Sequence, residues 1–100
     1  MAIKESSKNI TSPVWYLYMI RCKKGSLYTG ITTDVPRRLK DHQENRGAKY
    51  LRGKGPLKLV FSIKVGGKSE ASKMERKIKS LSKEEKELLV SFSPFALPSF

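Results

Sequence analysis

A chain of 100 residues suits a single domain with one small core, burying roughly two-thirds of the surface its unfolded chain exposes. Lys plus Arg is 21 against 9 acids, a net charge of +12, which points to a polyanionic partner, most often nucleic acid. No run approaches the roughly 18 apolar residues of a membrane span, and no strongly amphipathic terminal helix suggests an anionic membrane surface.

Residues 1–13, "MAIKESSKNITSP", read as a polar, mobile lead-in without the apolar core of a secretion signal. A single domain follows over 14–92. "VWYLYMIRC" is aromatic and β-branched, hence a strand. "SLYTGI" is a second strand, and the short "KKGS" connection makes the two a hairpin. A three-residue loop, Lys23 to Gly25, would place Gly25 in the left-handed conformation. Cys22 then faces Ser26, Ile20 faces Tyr28 and Tyr18 faces Gly30. In that register Tyr16, Tyr18, Tyr28 and Gly30 share one face, and Trp15, Leu17 and Met19 share the other with Leu27, Thr29 and Ile31. Cys22, the single cysteine, reads as a small buried residue, and no Cys/His cluster has zinc spacing. These features fit a reducing cytoplasm.

"TTDVPRRLKDHQEN" predicts a helix with Asp34 as N-cap and Pro36 in the first turn, docked by Val35 and Leu39 and ended by Asn45 to Gly47. Residues 46–56 form a glycine-rich basic loop. "LKLVFSIKV", 57–65, is a third strand, and "VGGKS" a turn. A helix over 69–81, opened by Ser69, carries the stripe Ala71, Met74, Ile78 and Leu81. "SKEE" is a capping box, with Ser82 as N-cap of a last helix over 83–92 bearing Leu88, Leu89 and Phe92. Pro94 stops it, and 93–100, "SPFALPSF", is a tail. The order ββαβαα describes an α+β domain on a three-stranded, mostly antiparallel sheet with flanking helices.

Four features stand apart from packing. Tyrosines in a sheet are ordinarily core, but glycine inside a strand marks a close approach, so Gly30 opposite Tyr18 suggests a cleft floor rather than a filled core. Arg38 and His42 are four residues apart, on one helical face, while Arg37 and Lys40 point elsewhere. Glu75 lies at the border of its helix's apolar stripe among Lys73, Arg76 and Lys77. It is either one half of a surface ion pair or a carboxylate able to hold one divalent cation. Arg46, Lys49, Arg52, Lys54 and Lys58, with Tyr50 between them, could follow a phosphate backbone and stack on a base, or form a solvated loop.

Taken together, these residues resemble the GIY-YIG nuclease superfamily, in its small stand-alone bacterial form. "YLY", Tyr16-Leu17-Tyr18, matches the first motif and "YTG", Tyr28-Thr29-Gly30, the second. The two motif tyrosines, Tyr18 and Tyr28, are ten residues apart. Arg38, His42 and Glu75 match the downstream arginine, histidine and metal-binding glutamate, and the likeness spans about residues 14–90. Tyr16 replaces the first glycine of the first motif. The asparagine some members carry near the domain's end has no clear equivalent. The second domain that homing and repair nucleases of this superfamily usually attach is absent from the sequence.

The resemblance implies a divalent-metal-dependent endonuclease that hydrolyses phosphodiester bonds in DNA or another nucleic acid. Glu75 would anchor one Mg²⁺ or Mn²⁺, Arg38 would bind a non-bridging phosphate oxygen, and Tyr18 or Tyr28 would activate the water. Tyr18 is favoured because it faces Gly30. His42 would relay the proton or orient the tyrosine. The alternative is a basic nucleic-acid-binding module that keeps the fold without catalysis. A third option is a domain targeted by a protein partner, with the 93–100 tail as docking segment. A monomer is the default expectation.

Overall fold

The computed structural model describes residues 13–92. Apart from Pro13, the expected lead-in lies outside the described residues, as does the expected tail over 93–100. Strands β1 (Trp15–Arg21), β2 (Leu27–Thr32) and β3 (Lys58–Gly66) form one sheet in the order β2-β1-β3. Both pairings are antiparallel. Helices α1 (Val35–Gln43), α2 (Lys68–Lys79) and α3 (Lys83–Ser91) complete the ββαβαα order.

The hairpin has the register its turn dictates. Gly25 adopts φ 97°, and its N–H donates to the Cys22 carbonyl at 2.9 Å. The Cys22 N–H donates to the Ser26 carbonyl at 2.9 Å, and from there Ile20 pairs with Tyr28 and Tyr18 with Gly30. Alternation along β1 therefore sends Tyr18, Ile20 and Cys22 to one face and Leu17 and Met19 to the other.

Each face has its own core. On the first, Tyr18, Ile20 and Cys22 pack with Leu51 and Leu57, and with Val35 and Leu39 of α1. On the second, Leu17, Met19 and Phe61 pack with Ile78 of α2, Leu81, and Leu89 and Val90 of α3. Leu17, Met19, Ile20 and Leu51 are fully buried, each worth about 1.5–3 kcal/mol of hydrophobic transfer. Leu88 and Phe92 are exposed, so Leu89 and Val90 dock α3 rather than the expected set.

Asp34 caps α1 as expected, its Oδ1 accepting from the Arg37 N–H at 3.1 Å. Asn45, at φ 61°, turns the chain away after the helix. Ser82 and Glu85 form both bonds of the capping box on α3, at 3.1 and 2.9 Å. The turn expected over 65–69 is shorter than that. β3 runs on to Gly66, whose φ of 128° redirects the chain, and Gly67 rather than Ser69 is the N-cap of α2. Gly66 permits this sharp exit, and burial of Ala71 and Ile78 sets the helix phase. The basic segment after α1 is ordered by a 3-10 turn at Lys49–Leu51 that drives Leu51 into the core. A bidentate pair, Arg21 to Glu87 at 2.7 and 2.8 Å, ties the end of β1 to α3.

Candidate active site

The face of β1 that carries Tyr18 holds a buried polar pair. Tyr18 is 2% exposed and His42 1% exposed, and Tyr18 Oη lies 2.8 Å from His42 Nε2. His42 reaches this depth because it closes α1 on the face set by Val35 and Leu39. Its other nitrogen, Nδ1, accepts the Ala48 backbone N–H at 3.1 Å. A backbone amide can only donate, so Nδ1 carries no proton and the neutral ring is protonated at Nε2. Nε2–H then donates to Tyr18 Oη. In that tautomer Nε2 has no free lone pair with which to take the phenol proton.

Both groups titrate away from their ordinary values. Burial first, then the neighbouring Tyr28 and the Glu75 carboxylate, push the Tyr18 phenol up to about 12, while the Arg38 guanidinium works the other way. Burial and the Arg38 charge push His42 below its usual range, with Asp41 opposing. His42 is thus neutral at pH 7, as its acceptor bond from Ala48 requires.

Two glycines make room for the pair. A Cβ on Gly30 would lie 2.5 Å from Tyr18 Oη, and one on Gly47 would collide with His42 Nδ1. This corrects the expectation of an open cleft floor at Gly30. The space is filled by the phenol of Tyr18 itself, which lies across Gly30 with its hydroxyl toward the β2 side of the sheet. By sequence, Gly47 reads only as part of a helix end and Ala48 only as part of the basic loop. Their role depends on the chain folding back over the His42 ring, which no local pattern announces.

Around the pair, Tyr28 is a hub. Its ring centroid is 6.3 Å from that of Tyr18, 5.5 Å from His42 and 6.0 Å from Tyr50. Arg38 is part-exposed on the same helix face as His42 and approaches Asp41 only at 3.9 Å. Glu75 comes from the opposite layer. α2 packs against β2 as well as β1, β2 is an edge strand, and the Glu75 charge acts on the Tyr18 phenol. The Glu75 side chain is 23% exposed and pairs with Lys79 at 3.1 Å. Tyr16, two residues before Tyr18 on the same face of β1, lines a separate cleft with Asp34, Leu59 and Ser62. Of the remaining motif residues, Leu17 is core on the far face and Thr29 is buried.

Among the described residues, no group of three or more His, Cys, Asp or Glu could hold a metal ion. Glu75 is a single carboxylate at a solvent-accessible border. A lone carboxylate of this kind could hold a hard cation such as Mg²⁺, which ordinarily keeps several waters, but here Glu75 is paired with Lys79.

The basic residues divide. Arg46 is turned back onto Asp41 and Glu44, so its charge is paired within the chain. Lys49 and Arg52 are exposed. Tyr50 is 50% exposed, stacked on Tyr28 at 19° between ring planes, with Lys54 Nζ 4.5 Å from its ring centre. No helix among the described residues is long and apolar enough to cross a membrane.

Known proteins resemble this chain in sequence and fold. The GIY-YIG catalytic domain family matches residues 14–88. A UPF0213 protein of Pectobacterium carotovorum is 55% identical over 91 residues, covering 91% of this chain and 92% of its own. A UPF0213 protein of Vibrio cholerae is 56% identical over 88 residues, covering 87% and 86%. Among solved structures, the UPF0213 protein of Bacillus halodurans has 48% identity and a TM-score of 0.54, covering 82% of this chain and 89% of that one. A protein of E. faecalis has 36% identity and a TM-score of 0.55, covering 81% and 88%. With three-quarters of its length matched and relatives above half identity, this chain belongs to the GIY-YIG catalytic domain family.

Proposed function

We propose that the protein is a divalent-metal-dependent endonuclease, acting on DNA or another nucleic acid in the cytoplasm. The observation that carries this reading is the Tyr18–His42 pair, with its tautomer fixed by Ala48 and Arg38 and Glu75 beside it. A basic binding surface has no use for a buried neutral phenol held by a neutral imidazole. In the minor fraction of molecules whose phenol has released its own proton to solvent, the Tyr18 phenolate positions the attacking water and accepts its proton. His42 Nε2–H and the Arg38 charge both favour the phenolate that this requires. Arg38 also presents a planar fork to a non-bridging phosphate oxygen. Glu75 would hold one Mg²⁺ or Mn²⁺, whose charge would offset that of the scissile phosphate and the leaving 3′-oxygen. Lys49, Tyr50, Arg52 and Lys54 receive the flanking strand, and Arg46 contributes only if it leaves Asp41 and Glu44.

The test is incubation of the purified protein with Mn²⁺ and end-labelled single-stranded, duplex and structured DNA and RNA. Cleavage that disappears on chelation and in Glu75→Ala supports the reading. If no substrate is cut, the enzyme assignment fails for this protein. The Lys79 pairing of Glu75 favours one rival, a binding module that keeps the fold without catalysis. That rival predicts salt-sensitive binding, unchanged by Glu75→Ala, and no cleavage.

A further inference from the structure

The turn between β1 and β2 and the chain after the 3-10 turn enclose a cleft of about 300 Å³. Lys23, Lys24, Arg52 and Lys54 line it, with Cys22 and Ser26, and no carboxylate does. The Lys23 N–H donates to the Lys54 carbonyl at 3.0 Å, so its two walls are fastened together. Four cationic side chains around one concavity suit a phosphate group. In the sequence, Lys23 and Lys24 read only as part of a turn.

Tyr50 joins this cleft to the candidate active site. Its hydroxyl is 3.5 Å from Ser26 Oγ on the cleft wall, and Lys54, another wall residue, lies over its ring. Its ring stacks on Tyr28, which touches both Tyr18 and His42. The sequence of groups is therefore catalytic tyrosine, stacking ring, phosphate cleft. A half-exposed tyrosine ring between two phosphate-binding places can stack on a base only if that base's face is free. In a duplex both faces are covered by neighbouring pairs.

Building on the nuclease reading, we propose that the cleft of Lys23, Lys24, Arg52 and Lys54 is a phosphate subsite, that Tyr50 stacks the adjoining base, and that the preferred substrate is therefore single-stranded nucleic acid. The Lys54 ammonium shifts from the Tyr50 ring to the incoming phosphate as the base arrives.

Binding in EDTA tests this without reference to catalysis. Fluorescence anisotropy is read with a labelled 20-mer DNA strand, its RNA counterpart and the DNA duplex. At least one of the single strands is expected to bind about tenfold more tightly than the duplex, and the tighter strand names the sugar. Tyr50→Leu abolishes that gap, while Tyr50→Phe retains it. The Lys23→Gln/Lys24→Gln double variant weakens single-strand binding and lowers the slope of log K against log salt by about 1.4. Equal or tighter duplex binding overturns the proposal. So does a preserved gap in Tyr50→Leu with an unchanged melting temperature. The same oligonucleotides with Mn²⁺ separate the two claims. Tyr50-dependent strand preference without cleavage sinks the nuclease reading and supports this one, whereas cleavage without the preference sinks this one alone.

Discussion

The two faces of the sheet are built from alternate residues of one strand, yet they do different work. Leu17 and Met19 enter a core of Phe61, Ile78, Leu81, Leu89 and Val90. Tyr18, one residue between them, enters a core that holds a histidine and is shaped by two glycines. On the first face, burial alone decides the residue types. On the second, every polar atom needs a partner and each ring needs a reserved space. Among the described residues no buried side-chain polar atom lacks a hydrogen bond, so the polar face is fully satisfied. Replacing a buried apolar residue should therefore damage stability, whereas replacing a polar group gathered around the Tyr18–His42 pair should damage activity.

The largest expected separation comes from Arg38→Ala and Glu75→Ala. Each should lower cleavage by about 100-fold or more, because charge aimed at a phosphate acts on the transition state. Both side chains are part-exposed, so melting temperatures should barely move. Leu17→Ala should do the reverse, costing about 2–5 kcal/mol of stability while folded protein keeps its cleavage rate. Chemical denaturation beside a cleavage assay checks both. If Leu17→Ala silences folded protein, the two faces are not separable.

Gly47→Ala should come next. Its new Cβ would displace the His42 ring and break the bond from Ala48. We expect a loss of about 1–3 kcal/mol with a disproportionate loss of activity. The reading fails here if histidine ring NMR signals are unmoved in the variant.

The pH dependence of stability gives a smaller effect. His42 titrates lower when folded than when unfolded, so below about pH 6.5 the unfolded chain binds more protons. Stability from this site is present above that pH and lost as pH falls through it. Melting temperature should drop between pH 7.5 and 5, and drop less in His42→Gln. Equal slopes would mean that His42 is not buried neutral. Smallest of all is Glu87→Gln. Hydrogen bonding from Arg21 holds the Glu87 carboxyl down at about 2, but the pair is one-third exposed, so its loss should cost under about 1 kcal/mol.

The parts of this molecule that sequence could reveal are those governed by neighbours in the chain. Gly25 set the hairpin register, Asp34 and the Ser82–Glu85 box set two helix starts, and i, i+4 spacing put Arg38 with His42. The start of α2 was misplaced because Ser69 looked like a cap, whereas the positive φ at Gly66 and burial of Ala71 chose Gly67. Gly30 was noticed correctly as a close approach, but its visitor proved to be Tyr18 and not empty space. Gly47, Ala48 and the Tyr28–Tyr50 stack depend on segments meeting across the fold, for which spacing carries no signal.

Tyr18 is proposed to act in hydrolysis as a base held by His42. Single-turnover cleavage with Mn²⁺ between pH 6.5 and 9.5 tests it, for the wild type and Tyr18→Phe. A phenol pushed up to about 12 in the free protein is largely protonated across this range, so wild-type rate should climb with pH without falling again. Tyr18→Phe should be about 100-fold slower and flat with pH. Wild-type cleavage matched by Tyr18→Phe at every pH would contradict the account, as would the absence of metal-dependent cleavage altogether.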